Sequence, residues 1–318
     1  MKVLITGSSG FIGSHLTAEF EANRYEVIRC DLDSSDGTTL MDIMNLEMIQ
    51  SVLEECKPDV IVNMAGQADV GLSWKKPQFT VQLNTIGLMN ILEAVKNVRS
   101  KIRVIAVGSS DEYGCLEERG ANVTEDMLVK PITPYAISKL AQELFAQLYV
   151  RSYGMDICMI RLFNLGGFGQ TKGYLISDFA SGVAEVEAGK KEYLSVGNLE
   201  SARDFTHVKD ACRAVRLIAE KGCAGEIYNI CSGTTYKAQE ILDKLIDMAK
   251  VKIDVKQDSE RMRLCDTPVV CGNHDKLTAH TGWMPKLGLE QILADALNYW
   301  RDKIWCGSRC VDQYCEGK

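Results

Sequence analysis

Two rhythms of apolar residues alternate along the chain. Short β-branched runs at 2–6, 26–31, 60–64, 103–107, 157–163 and 227–230 predict strands. The stretches 12–23, 46–56, 79–98, 134–153 and 208–221 return an apolar residue every three or four positions and predict helices. Strands that alternate with helices build βαβ units around a parallel sheet. Val60-Ile61-Val62 and Val104-Ile105-Ala106-Val107 are apolar without a break, as expected of strands covered by helices on both faces. The expected fold class is therefore α/β, a doubly wound parallel sheet. Thr133 before Pro134 supplies an N-cap and a first-turn proline to the helix that follows. After about Gly166 the rhythm loosens, and 170–195 and 236–305 predict helices with little strand between them. The expected division is a dinucleotide-binding domain over 1–168, to which 196–235 returns, and a smaller, mostly helical substrate lobe made of 169–195 and 236–318.

Composition narrows the function. The 318 residues suit two domains, or one large domain with an appendage. Lys and Arg number 36 against 43 Asp and Glu, a net charge of −7, so the chain lacks the basic excess of a nucleic-acid binder. No uncharged apolar run approaches the ~18–20 residues of a membrane helix. The apolar stretch after Met1 is too short for a secretory leader, so a cytoplasmic location is expected. Cys30, Cys158, Cys212 and Cys231 sit in apolar runs and read as small buried hydrophobes. The four histidines (His15, His207, His274, His280) show no metal spacing, and Cys306, Cys310 and Cys315 in the tail have no histidine nearby. No metal is expected.

Gly7-Ser8-Ser9-Gly10-Phe11-Ile12-Gly13 follows the first strand and opens the first helix. Glycines at 7, 10 and 13 leave room for backbone to approach a pyrophosphate, and the helix start, with Phe11 and Ile12, offers N–H groups to it. Asp31 ends the second strand, eighteen residues past Gly13. A carboxylate there can accept from both hydroxyls of an adenosine ribose and repels a 2′-phosphate. Asp33 adds to that repulsion. NAD is therefore expected over NADP, although Arg29, on the same side of the strand as Asp31, argues the other way.

Tyr135 and Lys139 share one face at the start of a helix. A lysine cation, together with a positive nicotinamide, would bring a phenol's pKa down from ~10 toward a working range. The strand 103–107 runs into Ser109-Ser110, where a hydroxyl can hold a substrate carbonyl oxygen while Tyr135 exchanges a proton with it. Asp111 and Glu112 follow. Either is a candidate acid or base, or a solvated loop residue.

In this order these residues, with Asn63-Met64-Ala65-Gly66, Asn84 and Arg161-Leu162-Phe163-Asn164, resemble the extended branch of the short-chain dehydrogenase/reductase superfamily over nearly the whole chain. Within it, four segments resemble the nucleotide-sugar enzymes acting on GDP-6-deoxy-hexoses. These segments are 67–74, 196–200, 203–208 and 268–283, the last ending in Thr281-Gly282-Trp283. The GDP-4-dehydro-6-deoxy-D-mannose reductases match best, with the GDP-mannose 4,6-dehydratases next. The resemblance implies adenine contacts at Asp42 and Ile43, a cofactor loop at Ala65 and Gly66, and a substrate contact at Asn164. It also implies diphosphate or nucleotide contacts at Arg203 and Arg263, and a homodimer formed through two helices, where 88–98 and 140–150 carry surplus apolar residues. Trp74 could stack on a sugar, and Trp283 is expected to pack in the smaller lobe.

The expected activity is that of an NAD(P)(H)-dependent oxidoreductase at C4 of a nucleotide-activated sugar, with a GDP-4-keto-6-deoxy-mannose-like substrate. Three alternatives stay open: a GDP-mannose 4,6-dehydratase, a nucleotide-sugar C4 epimerase or dehydrogenase with tightly held NAD, and a non-catalytic NAD-binding sensor. The dehydratases place a Glu two residues after a Ser or Thr. Counted back from Tyr113, the pair here is Ser109 and Asp111; counted forward from the serines it is Ser110 and Glu112. Gly166-Gly167-Phe168-Gly169 also departs from the family's Gly-Pro turn.

Overall fold

The computed structural model describes residues 1–34, 37–98, 101–115, 122–258 and 269–305. Seven strands form one sheet in the order Ile227–Ile230, Ile157–Leu162, Arg103–Ser109, Val60–Asn63, Lys2–Thr6, Glu26–Asp31 and Thr39–Leu40. Every neighbouring pair is parallel. The chain builds outward from Lys2–Thr6 in one direction, then returns and builds outward in the other. The order thus reverses between Lys2–Thr6 and Val60–Asn63, and in such sheets the crevice beyond the strands' carboxyl ends at the reversal is where ligands bind.

Helices cover both faces. On one, Leu16 and Phe20 of the helix Phe11–Ala22 pack with Ala211 and Val215 of Val208–Lys221 against Val3, Val62 and Ile105. On the other, Leu46–Cys56, Gly87–Val98 and Pro134–Tyr153 bury Ile49, Leu92 and Ala146 against Leu4, Ile61 and Val104. Side chains cap these helices as their sequences imply: the Asn45 side chain accepts from the Met48 N–H and the Thr133 hydroxyl from the Ala136 N–H, each at 3.0 Å. Trp283 is a correction. It is fully buried with Leu277 in the helix layer of the main sheet, and its indole donates to the Asp210 carbonyl at 3.0 Å.

The helix expected over 79–98 is divided into Pro77–Val81, a π-helical turn Gln82–Ile86 and Gly87–Val98. The reason is local. The Asn84 carboxamide accepts from the Gln67 N–H at 2.8 Å and donates to the Gln67 carbonyl at 3.0 Å, and Gly87 packs where a Cβ would fall 2.5 Å from Ile43 Cδ1. An extra residue in one turn satisfies both demands, and such bulges concentrate at functional sites.

The region after 166 has its own core, with Phe179 and Val183 of Leu175–Glu187 packed on Ile241, Leu245, Ile292 and Trp300. Short strands, too brief to show alternation, join its helices. Ala202–His207 runs antiparallel to Thr235–Lys237 and parallel to Val269–Gly272 and Asn164–Gly166, and Leu194–Val196 pairs with Val255–Gln257. Leu88, Ile91, Leu92 and Val95, read from sequence as surplus, are buried. Exposed apolar side chains of this helix pair include Ile137, Leu144, Leu148 and Tyr153, with Phe79, Val81 and Ile86 alongside. Among the described residues no helix is long and apolar enough to cross a membrane.

Candidate active site

The glycine turn sits at the sheet's reversal point. Gly7 has φ of +63°, and a Cβ there would lie 2.9 Å from the Ala65 amide nitrogen, so only glycine lets the first strand's turn touch the 64–66 loop. A Cβ on Gly13 would lie 2.1 Å from the Gly7 carbonyl oxygen. The Thr6 hydroxyl stitches the crevice floor, donating to Asn63 Oδ1 at 2.7 Å and accepting from the Ala65 N–H at 3.0 Å. Helix Phe11–Ala22 starts at Gly10 with no side-chain cap, which leaves its first N–H groups available to an anion. Beside it the Ser8 hydroxyl is buried without a hydrogen-bond partner. An uncapped helix start, a side-chain-free turn and an orphaned hydroxyl together fit a pyrophosphate.

Asp31 ends the second strand next to this turn. One carboxylate oxygen accepts from the Ser9 N–H at 2.9 Å and the other from the Leu32 N–H at 2.8 Å. The carboxylate is thereby fixed at the turn's edge. Asp42 accepts from the Met44 N–H at 2.8 Å, and Ile43 is buried against Gly87.

Ser109 ends the strand Arg103–Ser109 and caps a 3₁₀ turn over Ser110–Tyr113. The Ser109 side chain lies near enough to the Tyr135 phenol to favour its ionised form. Lys139, one turn beyond Tyr135, donates to the Val107 carbonyl at 2.9 Å and lies 5.9 Å from the Tyr135 ring centre. A Cβ on Gly66 would come within 3.8 Å of Lys139 Nζ, so the 64–66 loop and this lysine meet in one crevice.

The electrostatics depart from the sequence expectation. Burial pushes the Tyr135 phenol above its ordinary value and the negative charge of Asp111 adds to the rise, while the neighbouring Ser109 side chain opposes it. Burial pulls Lys139 down to about 8, against the charge of Glu112. Within this chain the lysine therefore does not depress the phenol. Its ammonium is turned to a neutral strand carbonyl, and dehydration outweighs a charge 5.9 Å from the ring.

The two acids after the serines part company. Asp111 is exposed and lowers the ionisation tendency of Tyr135 across the cleft. Glu112 is fully buried behind the strand, where it accepts from the Ser109 N–H at 2.7 Å. Of the two registers, Ser109 with Asp111 is the one whose acid is exposed.

Asn164 and Arg203 stand on paired strands, Asn164 opposite Phe205, with the Asn164 amide donating to the Asp204 carbonyl at 3.4 Å. Arg203 is half-buried and donates to the Ala202 carbonyl at 2.9 Å. Arg263 and the tail cysteines lie outside the described residues. The Gly166–Gly169 turn lies over the first helix: the Phe168 carbonyl is 2.8 Å from His15 Nε2, and a Cβ on Gly169 would lie 3.9 Å from the Phe11 ring. Trp74 is exposed on the short helix Val70–Lys75.

Sequence reasoning missed two features. Tyr174, at the start of Leu175–Glu187, is close enough to Tyr135 and to Asp69 for their charges to interact. It brings a second phenol to the cleft from the smaller lobe. The other feature is the buried group of Glu112, Arg161 and Glu143. Arg161 donates to both Glu143 oxygens, at 2.9 and 2.7 Å. An arginine inside the apolar strand Ile157–Leu162 was the available signal, because a buried guanidinium requires a buried partner.

Known proteins share this architecture. A GDP-6-deoxy-D-mannose reductase of Pseudomonas aeruginosa is 31% identical over 95% of this chain and 98% of its own length. A GDP-6-deoxy-D-talose 4-dehydrogenase of Aggregatibacter actinomycetemcomitans is 31% identical over 87% of this chain and 90% of its own. The solved structure of RMD from Pseudomonas aeruginosa complexed with NADPH superposes with a TM-score of 0.86 at 31% identity, covering 95% and 99% of the two chains. A UDP-glucose 4-epimerase of Thermus thermophilus, in complex with NAD, gives 0.85 at 25% identity over 95% and 99%. The family described as GDP-mannose 4,6 dehydratase matches residues 4–296, and the chain belongs to that family.

Proposed function

We propose that the protein is a nicotinamide-dependent reductase of C4 in a nucleotide-activated 4-keto-6-deoxy sugar, with a GDP-4-keto-6-deoxy-mannose-like substrate. One observation carries the reading. The Ser109 side chain and the Tyr135 phenol lie close enough to influence one another beside the sheet's reversal point, and the Glu112 carboxyl of the neighbouring turn is buried against the Ser109 backbone N–H. When bound, a reduced nicotinamide supplies the hydride. Ser109 holds the C4 carbonyl oxygen. Tyr135 gives its proton to that oxygen as it becomes a hydroxyl. Lys139, beside Gly66, binds the cofactor's ribose and supplies positive charge next to the phenol. Gly7, Gly10 and Gly13 admit the pyrophosphate, with the N–H groups of Phe11 and Ile12 as donors. Ala65 and Gly66 line the nicotinamide half, and Asp42 and Ile43 the adenine end. Ser110 is the second hydroxyl of the pair.

NAD is the form this reading favours, because a carboxylate held at Asp31 by the Ser9 and Leu32 N–H groups would repel a 2′-phosphate. Residues 1–168, rejoined by 196–235, carry the cofactor. Residues 169–195, 236–258 and 289–305 cover the sugar nucleotide, with Asn164 at the sugar and Arg203 and Arg263 at the diphosphate, where a guanidinium fork binds two oxygens at once. Two copies pair through the exposed Ile137, Leu144 and Leu148 face.

A second reading, 4,6-dehydration of GDP-mannose, is favoured by one feature: an exposed Asp111 stands where that reaction needs a C5 base. Mass spectrometry separates the two. Incubated with GDP-4-keto-6-deoxy-mannose and NADH, the protein should yield a product heavier by two hydrogens. Loss of water from GDP-mannose without added cofactor would replace the first reading by the second.

A further inference from the structure

We propose that Glu112 is a positioning residue for the reduction, holding the Ser109 peptide by its N–H and serving as the counter-charge of Lys139. The proposal rests on the reductase reading for the word reduction, and on the geometry for the rest. The strand that delivers Ser109 is gripped at two successive peptide units by ionisable side chains. Lys139 Nζ donates to the Val107 carbonyl at 2.9 Å, and the Ser109 N–H donates to Glu112 Oε1 at 2.7 Å. Gly108 lies between them, and a Cβ there would be 2.4 Å from Glu112 Oε1. Only glycine lets the carboxyl lie flat on the strand.

Charge counting makes the pairing. Lys139, Glu143, Arg161 and Glu112 are buried together, with Tyr113 and Glu125 beside Arg161, where the Glu125 carboxyl accepts from the Asn229 N–H at 2.8 Å. The helix Pro134–Tyr153 supplies Lys139 and Glu143, the strand Ile157–Leu162 supplies Arg161, and Asp111 on Glu112's own turn acts, as Glu112 does more weakly, on Tyr135. Arg161 donates through Nε and Nη2 to Glu143, and through Nη1 to the Glu125 carbonyl at 3.2 Å. Glu112 Oε2 reaches Arg161 Nε only at 3.6 Å and has no hydrogen-bond partner. Lys139 for its part touches a neutral carbonyl. Glu112 thus stands between two cations, Arg161 at 3.6 Å and Lys139 across Gly108, and it is the charge that opposes the fall of Lys139. The ionisation tendencies agree in direction: burial and then Glu143 push Glu112 up, burial pulls Lys139 down, and each of the pair opposes the other's shift.

A glutamine at 112 keeps the acceptor for the Ser109 N–H and removes the charge, as in the Glu/Gln equivalence of a capping box. The test follows the Lys139 Nζ resonance of the full chain labelled with ¹⁵N-lysine, identified by its loss in Lys139→Met. In Glu112→Gln its titration midpoint should fall by about one pH unit with thermal stability near that of the parent. Glu112→Ala should show the same fall and a lower Tm, since the Ser109 N–H then loses its acceptor. With GDP-4-keto-6-deoxy-mannose and NADH, the alkaline limb of kcat should move down with the midpoint in Glu112→Gln while KM stays near the parent value. An unmoved Nζ midpoint in Glu112→Gln overturns the pairing. A moved midpoint with an unmoved alkaline limb overturns the role in the reaction. If the parent protein reduces no nucleotide sugar while the midpoint still moves, the reductase reading fails and the pairing stands.

Discussion

The two walls of the cleft are made differently. The sheet wall, with Gly7, Ser109 and the 64–66 loop, comes from the ends of strands in unbroken parallel register. The lobe wall is assembled from short strands drawn from across the chain, and a buried carboxylate ties it together. Asp204 accepts from the Ser232 N–H and hydroxyl at 2.8 and 2.6 Å, from the Gly233 N–H at 2.9 Å and from the Gly272 N–H at 3.2 Å. A regular sheet places its functional groups through backbone geometry and local spacing. The irregular lobe places its own through specific side-chain bonds. The sheet wall should therefore fail in chemistry when altered, and the lobe wall in stability and substrate grip.

The largest effect expected is on the sheet wall. Tyr135→Phe should lower kcat about 10²–10⁴-fold, the range for a lost proton donor, with nicotinamide binding retained by fluorescence titration. A full loss of cofactor binding in that variant would mean the phenol is structural. Gly13→Ala comes next. A Cβ 2.1 Å from the Gly7 carbonyl forces the turn open, so calorimetry should find NAD affinity down more than about tenfold, roughly 1.4 kcal/mol. On the lobe wall, Asp204→Asn leaves at least one of four donors facing an amide N–H₂. Chemical denaturation should give a loss of about 1–3 kcal/mol, with KM for the sugar nucleotide raised more than kcat is lowered. Equal losses in kcat for Asp204→Asn and Tyr135→Phe would erase the distinction between the walls.

The smallest effect is one of pH. Folded Lys139 releases its proton near 8, whereas the unfolded chain holds it to ~10.4. Between those values the unfolded state binds more protons, so this group makes the fold more stable as pH rises, and the contribution is complete above the unfolded value. Lys139→Met should flatten that alkaline rise in urea-denaturation midpoints. A rise of the same slope in the variant would assign it to another group.

Much of the sheet wall was legible in the sequence. The βα rhythm gave the strands to within a residue or two, because a strand covered on both faces needs an unbroken apolar run and a surface helix needs its stripe. The glycine turn stood out because close backbone approach removes side chains, and Tyr135 with Lys139 because i, i+4 spacing aligns them. The division of the 79–98 helix was hidden, since a π turn answers a contact between Asn84 and Gln67 that no local pattern announces.

The sequence by itself determined which chemical groups this protein owns and the order in which strands and helices present them, since periodicity and backbone freedom are local properties. Only the tertiary structure decided which of two adjacent acids stays exposed. In a 3₁₀ turn, with three residues per turn, neighbours point about 120° apart, so Asp111 is left at the surface and Glu112 is driven beneath the strand beside Arg161. Burial is a property of what packs against a residue. That is why a phenol and a lysine read from spacing as a tuned pair turn out to be shifted in opposite directions by dehydration.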